Sequence, residues 1–141
     1  FGDPETQPIM LRLKSELVAL CLAAVDGRLD SEQAEWDARC ALGVVLAAGG
    51  YPDTYVKGEV IRGLPVQESA DAKVFHAGTA LQNGQIVTAG GRVLCVTALG
   101  DSVAQAQRLA YSVVEQVAWS GALYRRDIGY RAVAREQALN P

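Results

Sequence analysis

Histidine is nearly missing from this sequence: His76 is the only one, among 141 residues. That count excludes a metal centre of several imidazoles and leaves no spare base for a Ser-His-Asp triad. His76 itself falls in a strand-like run, where a packing or solvent-facing role is expected rather than a ligand role. Also lacking are a Walker A loop, a G-x-S-x-G elbow, an H-E-x-x-H pair and a dinucleotide G-x-G-x-x-G, so the common catalytic motifs are excluded. Charge blocks are absent as well. The 13 basic and 16 acidic residues, net charge -3, are spread along the chain and leave no footprint for nucleic acid or an anionic membrane. The longest apolar stretch, Leu17 to Val25, is far short of the ~20 residues of a membrane helix, and no charged leader precedes an apolar signal core. Cys21, Cys40 and Cys95 are odd in number and without C-x-x-C spacing. Each lies in an apolar context suited to a buried thiol, and a cytoplasmic protein is expected.

What is present is apolar: half of the residues are hydrophobic, enough for the core of one domain and too few residues for two ordinary ones. From Pro8 to Asp26, Met10, Leu13, Leu17, Leu20, Cys21 and Ala24 recur at spacings of three and four, which predicts one amphipathic helix closed by Gly27. Ala41 to Ala48 is apolar on both faces and ends in Gly49-Gly50-Tyr51-Pro52, as a buried central strand would. Strand-like runs from Lys73 to Leu81 and from Gln85 to Thr88 flank Asn83-Gly84, a hairpin signal. Arg92 to Leu99 is another strand. Ser102, with Gln105 three residues on, opens a second helix whose apolar face carries Val103, Ala106, Ala110, Val113, Val114 and Val117. The expected fold class is α+β: an N-terminal helix, an antiparallel sheet meander, and a second helix packed on the sheet.

Four clusters have chemical potential. Asp3 and Glu5, in Gly2-Asp3-Pro4-Glu5-Thr6, stand at the mouth of the first helix, where backbone N–H groups and side-chain oxygens can meet a small polar substrate. The bland alternative is an acidic helix start. Gly49 and Gly50, beside Tyr51, let backbone approach a ligand closely, or make only a tight turn. Gly90-Gly91-Arg92 presents one guanidinium suited to phosphate or carboxylate, or to a surface salt bridge. Arg125, Arg126 and Arg131 form a basic tail that either faces phosphate or is simply solvated.

Five stretches read as words: Phe1-Gly-Asp-Pro-Glu-Thr-Gln-Pro-Ile-Met10, Leu42-Gly-Val-Val-Leu-Ala-Ala-Gly-Gly-Tyr-Pro52, Lys73-Val-Phe-His-Ala-Gly-Thr79, Gly90-Gly-Arg-Val-Leu-Cys-Val-Thr-Ala-Leu-Gly100 and Arg126-Asp-Ile-Gly-Tyr-Arg131. Together, in this order and over essentially the whole chain, they resemble the phosphoribosylamine–glycine ligase family of the ATP-grasp superfamily. The resemblance implies the C-terminal portion of an enzyme that uses ATP and Mg²⁺ to join glycine to 5-phosphoribosylamine in purine biosynthesis. It implies that the ATP- and Mg²⁺-binding residues lie in N-terminal ATP-grasp domains outside this chain, which is expected to be inactive alone. Residues 1-27 correspond to the end of the ATP-grasp core and 28-141 to a C-terminal α+β domain. Gly2, Asp3, Pro4, Glu5 and Thr6 would border the pocket for glycine and phosphoribosylamine, and Gly49, Gly50, Tyr51 and Arg92 would form a facing wall. No catalytic and no metal-binding residue is expected within the chain. The alternative is a free-standing, non-catalytic binding module with the same fold. As part of a larger enzyme, the chain should expose an apolar patch, with Leu17 to Val25 and Tyr51 as its candidates.

Overall fold

The longest strand pair of the molecule forms because two apolar runs match in length. In the computed structural model, which describes residues 2–67 and 69–139, strand β1 (Cys40–Ala47) lies antiparallel to β5 (Arg92–Gly100), Cys40 opposite Gly100. Strand β2 (Ala72–His76) pairs with the other edge of β5, and the short β6 (Leu123–Tyr124) with β1, giving the order β2-β5-β1-β6. A separate two-stranded sheet joins β3 (Thr79–Gln82) to β4 (Gln85–Thr88). Its turn is the expected one: Asn83 and Gly84 both have positive φ, 51° and 76°, as a tight two-residue hairpin requires. The sheets are antiparallel, but a meander is realised only in this hairpin. The run from Lys73 to Leu81 breaks at Ala77-Gly78, because Gly78 lies against the backbone of Gly90 and Arg92 and its N–H donates to Val93.

Leu42, Val44 and Leu46 alternate inward from β1 to meet Leu94, Val96 and Ala98 of β5 and Val74 of β2. On this face lies helix α3 (Val103–Val114), which buries Ala106, Ala110 and Val114. Small residues let the helix approach the sheet closely, and the Ser102 hydroxyl accepts from the Gln105 N–H at 3.1 Å as the predicted N-cap. The remaining N-terminal donors of α3 have a partner distant in sequence. Helix α4 (Tyr130–Leu139) brings Glu136 back, and its carboxylate accepts from Val103 N and Ala104 N at 2.8 and 3.1 Å.

The single helix expected from Pro8 to Asp26 is two: α1 (Thr6–Arg12) and α2 (Leu17–Val25). Between them the backbone bonds elsewhere. Leu13 bridges Trp36, Lys14 N–H donates to Glu35 O at 2.9 Å, and Glu35 N–H donates to the Ser15 hydroxyl at 2.7 Å. Leu13 N–H still donates to Ile9 O at 3.0 Å, but these partners take Lys14 and Ser15 out of the helical ladder. Beyond the break, α2 is almost wholly apolar yet buries only Ala23, while Val18, Leu22 and Val25 are 66, 58 and 85% exposed. The apolar patch expected at Leu17 to Val25 is therefore present, and Tyr51 is exposed as well. The cysteines differ from the expectation of three buried thiols. Cys95 is buried, and burial pushes its thiol pKa up, but Cys40 is half-buried and Cys21 lies exposed on α2. No described helix is long and apolar enough to cross a membrane. Phe1, which opens the first of the five resembling stretches, and Asn140 and Pro141 at the end of the basic tail lie outside the described residues.

Candidate functional site

The sheet has two unequal faces. Helix α3 covers one, whereas on the other α1 covers only part, seated where Gly43 offers no side chain: a Cβ there would lie 3.1 Å from Pro8 Cγ and 3.2 Å from Cys95 Sγ. Beyond α1 the face is open, and there lies a cavity of about 480 Å³. Its floor is Gly43, Val45 and Ala47, the outward-facing residues of β1. Pro4 and Tyr51 come from the two loops that carry cis X-Pro bonds, Asp3-Pro4 and Tyr51-Pro52. Leu123 and Tyr124 belong to β6, and Arg125 and Ile128 to the segment that follows it.

Arg92 reaches this cavity because of a bulge. In regular register Leu94, Val96 and Ala98 point to the α3 face, and Arg92 at even spacing would follow them into the core. Instead the pairing shifts between Leu46 and Ala47, so that Ala47 lies opposite Arg92 and Val93 is the extra residue. Val93 enters the core, fully buried, and Arg92 lines the cavity. Its Nε then meets Asp3 Oδ2 at 2.8 Å, and the Gln7 amide holds the other oxygen of Asp3 at 3.0 Å. The turn before it is equally constrained. Any side chain at Gly91 would run into the ring of Tyr51, so glycine there is what lets the aromatic wall close down on β5.

Arg125 is the second guanidinium of the wall. Its Nε and Nη2 donate to the two oxygens of Asp127 at 2.9 and 2.7 Å. This fork-to-fork pair raises the Arg125 pKa and lowers that of Asp127, in each case chiefly through the side-chain hydrogen bond. Helix α3 fixes the segment underneath: the Tyr111 hydroxyl donates to Arg125 O at 2.7 Å and accepts from Ile128 N at 3.1 Å, while Gln107 Nε2 donates to Ile128 O at 2.7 Å. Arg126 lies over the Tyr124 ring, 5.4 Å from its centroid.

Of the nine residues singled out from the sequence, Pro4, Tyr51 and Arg92 meet on the cavity wall, and Asp3 holds Arg92. The others stand outside the wall. Gly2 O accepts from both the N–H and the hydroxyl of Thr6, and Glu5 precedes α1 without a side-chain cap. Gly49 backs onto Gly121, 2.8 Å from its O to a built Cβ, and Gly50 turns at φ +95° against Thr54. The floor residues of β1 carried no chemical signal in the sequence, and Arg125 was visible only as part of a basic run. His76 is exposed, its Nδ1 3.0 Å from the Thr79 hydroxyl, in the solvent-facing strand role expected of it. Among the described residues no group of three or more His, Cys, Asp or Glu is placed to hold a metal ion.

Comparison with known proteins decides the family. Residues 41–131 match the family described as phosphoribosylglycinamide synthetase, C domain. The chain belongs to this family. It is 65% identical over 138 residues to phosphoribosylamine–glycine ligase of Vibrio cholerae, an alignment covering 98% of this chain and 32% of that protein. The corresponding ligase of Escherichia coli O6:H1 is 62% identical, again with 97% of this chain and 32% of that protein aligned. The crystal structure of phosphoribosylamine–glycine ligase from Thermotoga maritima superposes with a TM-score of 0.72 at 38% identity, covering 91% of this chain and 31% of that one. This member of the C-domain family thus spans about a third of the length of the relatives it matches.

Proposed function

We propose that this chain is the C-terminal part of an ATP-dependent ligase joining glycine to 5-phosphoribosylamine, with glycinamide ribonucleotide, ADP and phosphate as products. The observation that carries this reading is the cavity itself. Three stretches far apart in sequence, each resembling the ligase family, supply Pro4, Tyr51 and Arg92 to one open sheet face. Family membership and the ligase relatives support it. On this reading residues 1-27 end the ATP-grasp core and 28-141 form the C-terminal domain. Gly2, Asp3, Pro4, Glu5 and Thr6 border the substrate pocket, and Gly49, Gly50, Tyr51 and Arg92 face them.

ATP and Mg²⁺ belong to the ATP-grasp domains of the longer enzyme, where phosphorylation makes the glycine carboxylate a competent electrophile. The part left to this chain is to hold substrate and to exclude water on one side of the reaction. A cavity wall of Val45, Ala47, Leu123 and two tyrosines is suited to exclusion of water, and its guanidiniums to holding anions. The test is ADP release with ATP, glycine and phosphoribosylamine, measured for the 141-residue chain and for the same chain joined to an ATP-grasp portion. The joined protein is expected to release ADP only with both other substrates present, and the chain alone to release none. Turnover by the chain alone, or its absence in the joined protein, would overturn the proposal.

A further inference from the structure

We infer that Tyr111 and Gln107, carried by helix α3 on the covered face of the sheet, are positioning residues for substrate binding in the cavity on its open face. This rests on the ligase reading and deepens it by naming groups that act on the site from outside it. Neither residue is on the cavity wall, yet all three of their hydrogen bonds end on main-chain groups of two residues that are, Arg125 and Ile128. A phenol oxygen can both donate and accept, and Tyr111 uses both capacities, donating to Arg125 O at 2.7 Å and accepting from Ile128 N at 3.1 Å. Gln107, one turn earlier on the same side of α3, donates to Ile128 O at 2.7 Å.

The other anchors of this segment lie at its two ends. Leu123 and Tyr124 pair with β1, and Gly129 sits so close to Leu42 that a Cβ there would lie 2.5 Å from Leu42 Cδ1. Between them, the side chains of Arg125 and Asp127 hold each other and are 72 and 51% exposed. An exposed pair two residues apart is screened by solvent and ties the segment to nothing beyond itself. Helix α3 can serve as a frame because its own position is fixed by buried Ala106, Ala110 and Val114. A wall segment ordered in advance does not have to be ordered by the substrate, which favours binding. Tyr111→Phe isolates this effect: it keeps the ring beside that of Tyr124, 6.4 Å between centroids, and deletes the hydroxyl alone.

The test uses the chain joined to an ATP-grasp portion and two measurements. Hydrogen exchange reads the segment: Tyr111→Phe should speed exchange over residues 125–128 at least tenfold and leave β5 unchanged. Steady-state kinetics read the site: Tyr111→Phe should raise the KM for phosphoribosylamine at least fivefold, with kcat and the KM for ATP within twofold. Gln107→Leu should act in the same direction by a smaller factor. Ser112→Ala removes a hydroxyl of the same helix that bonds only within it, to Leu109 O, and should leave every constant within twofold. Faster exchange with an unchanged KM for phosphoribosylamine in both variants would make the clamp purely structural and overturn the inference while the ligase reading stands. Unchanged exchange in Tyr111→Phe would overturn it as well. A parent protein that releases no ADP would instead remove the ligase reading, and the inference with it.

Discussion

Arg39 is held by two carboxylates at once. Its Nε and Nη2 reach Asp37 at 3.1 and 2.9 Å, and its Nη1 reaches Asp71 at 2.6 Å, tying the loop before β1 to the loop before β2. The Asp37 side chain is only 15% exposed, and the hydrogen bonds from Arg39 hold its carboxyl well below the usual carboxylate range. A folded-state pKa depressed in this way gives stability that is fully present above the unfolded value, about 3.9, and is lost as pH falls through the folded value. Asp37→Asn should therefore lower the melting temperature at pH 7. The gap to the parent chain should begin to narrow only below about pH 4. A gap that closes between pH 8 and 6 would show that another group is responsible. None of this was legible in the sequence, where Asp37 and Arg39 are two charges among many. The same holds at Arg92: its chemistry was legible, but the face it occupies depends on a bulge that leaves no mark in the residues themselves.

Elements were legible where local signals and tertiary partners agree. Ser102 and Gln105 announced the start of α3, and the structure adds that Gln105 Oε1 accepts from the Asp101 N–H at 2.8 Å, so the side chain folds back over the helix entrance. Asn83-Gly84 announced the hairpin. Ser102→Ala should cost about 1 kcal/mol, read as a shift in urea midpoint with unchanged slope. Helical circular dichroism should be retained, because Glu136 still accepts from Val103 and Ala104. Loss of the α3 signal altogether would mean that Ser102 does more than cap. The reading failed where a local pattern met a distant competitor. The spacing of Met10, Leu13 and Leu17 continues smoothly through Leu13 to Glu16, yet the segment 35–37 captures the backbone there. A partner some 20 residues away cannot be read from helical periodicity.

At the scale of the whole molecule, the sheet separates a packed face from an open one. One face is sealed by α3, and the other is left open around the cavity, so neighbouring residues of β1 answer to different demands. Leu46 is fully buried against β5 in the main core, whereas Val45, one residue earlier, lines the cavity and is only partly covered. Leu46→Ala removes packed atoms from a fully buried site and should cost roughly 2–5 kcal/mol of unfolding free energy. Val45→Ala should cost about 1 kcal/mol or less, because part of that side chain already faces solvent. On the proposed ligase reading, the kinetics of the chain joined to an ATP-grasp portion should reverse the order: Val45→Ala changes the cavity floor and should alter the KM for phosphoribosylamine, while Leu46→Ala, where it remains folded, should leave that KM nearly unchanged. Equal stability losses for the two variants would mean that the open face is packed after all, and the division of labour between the faces would then be wrong.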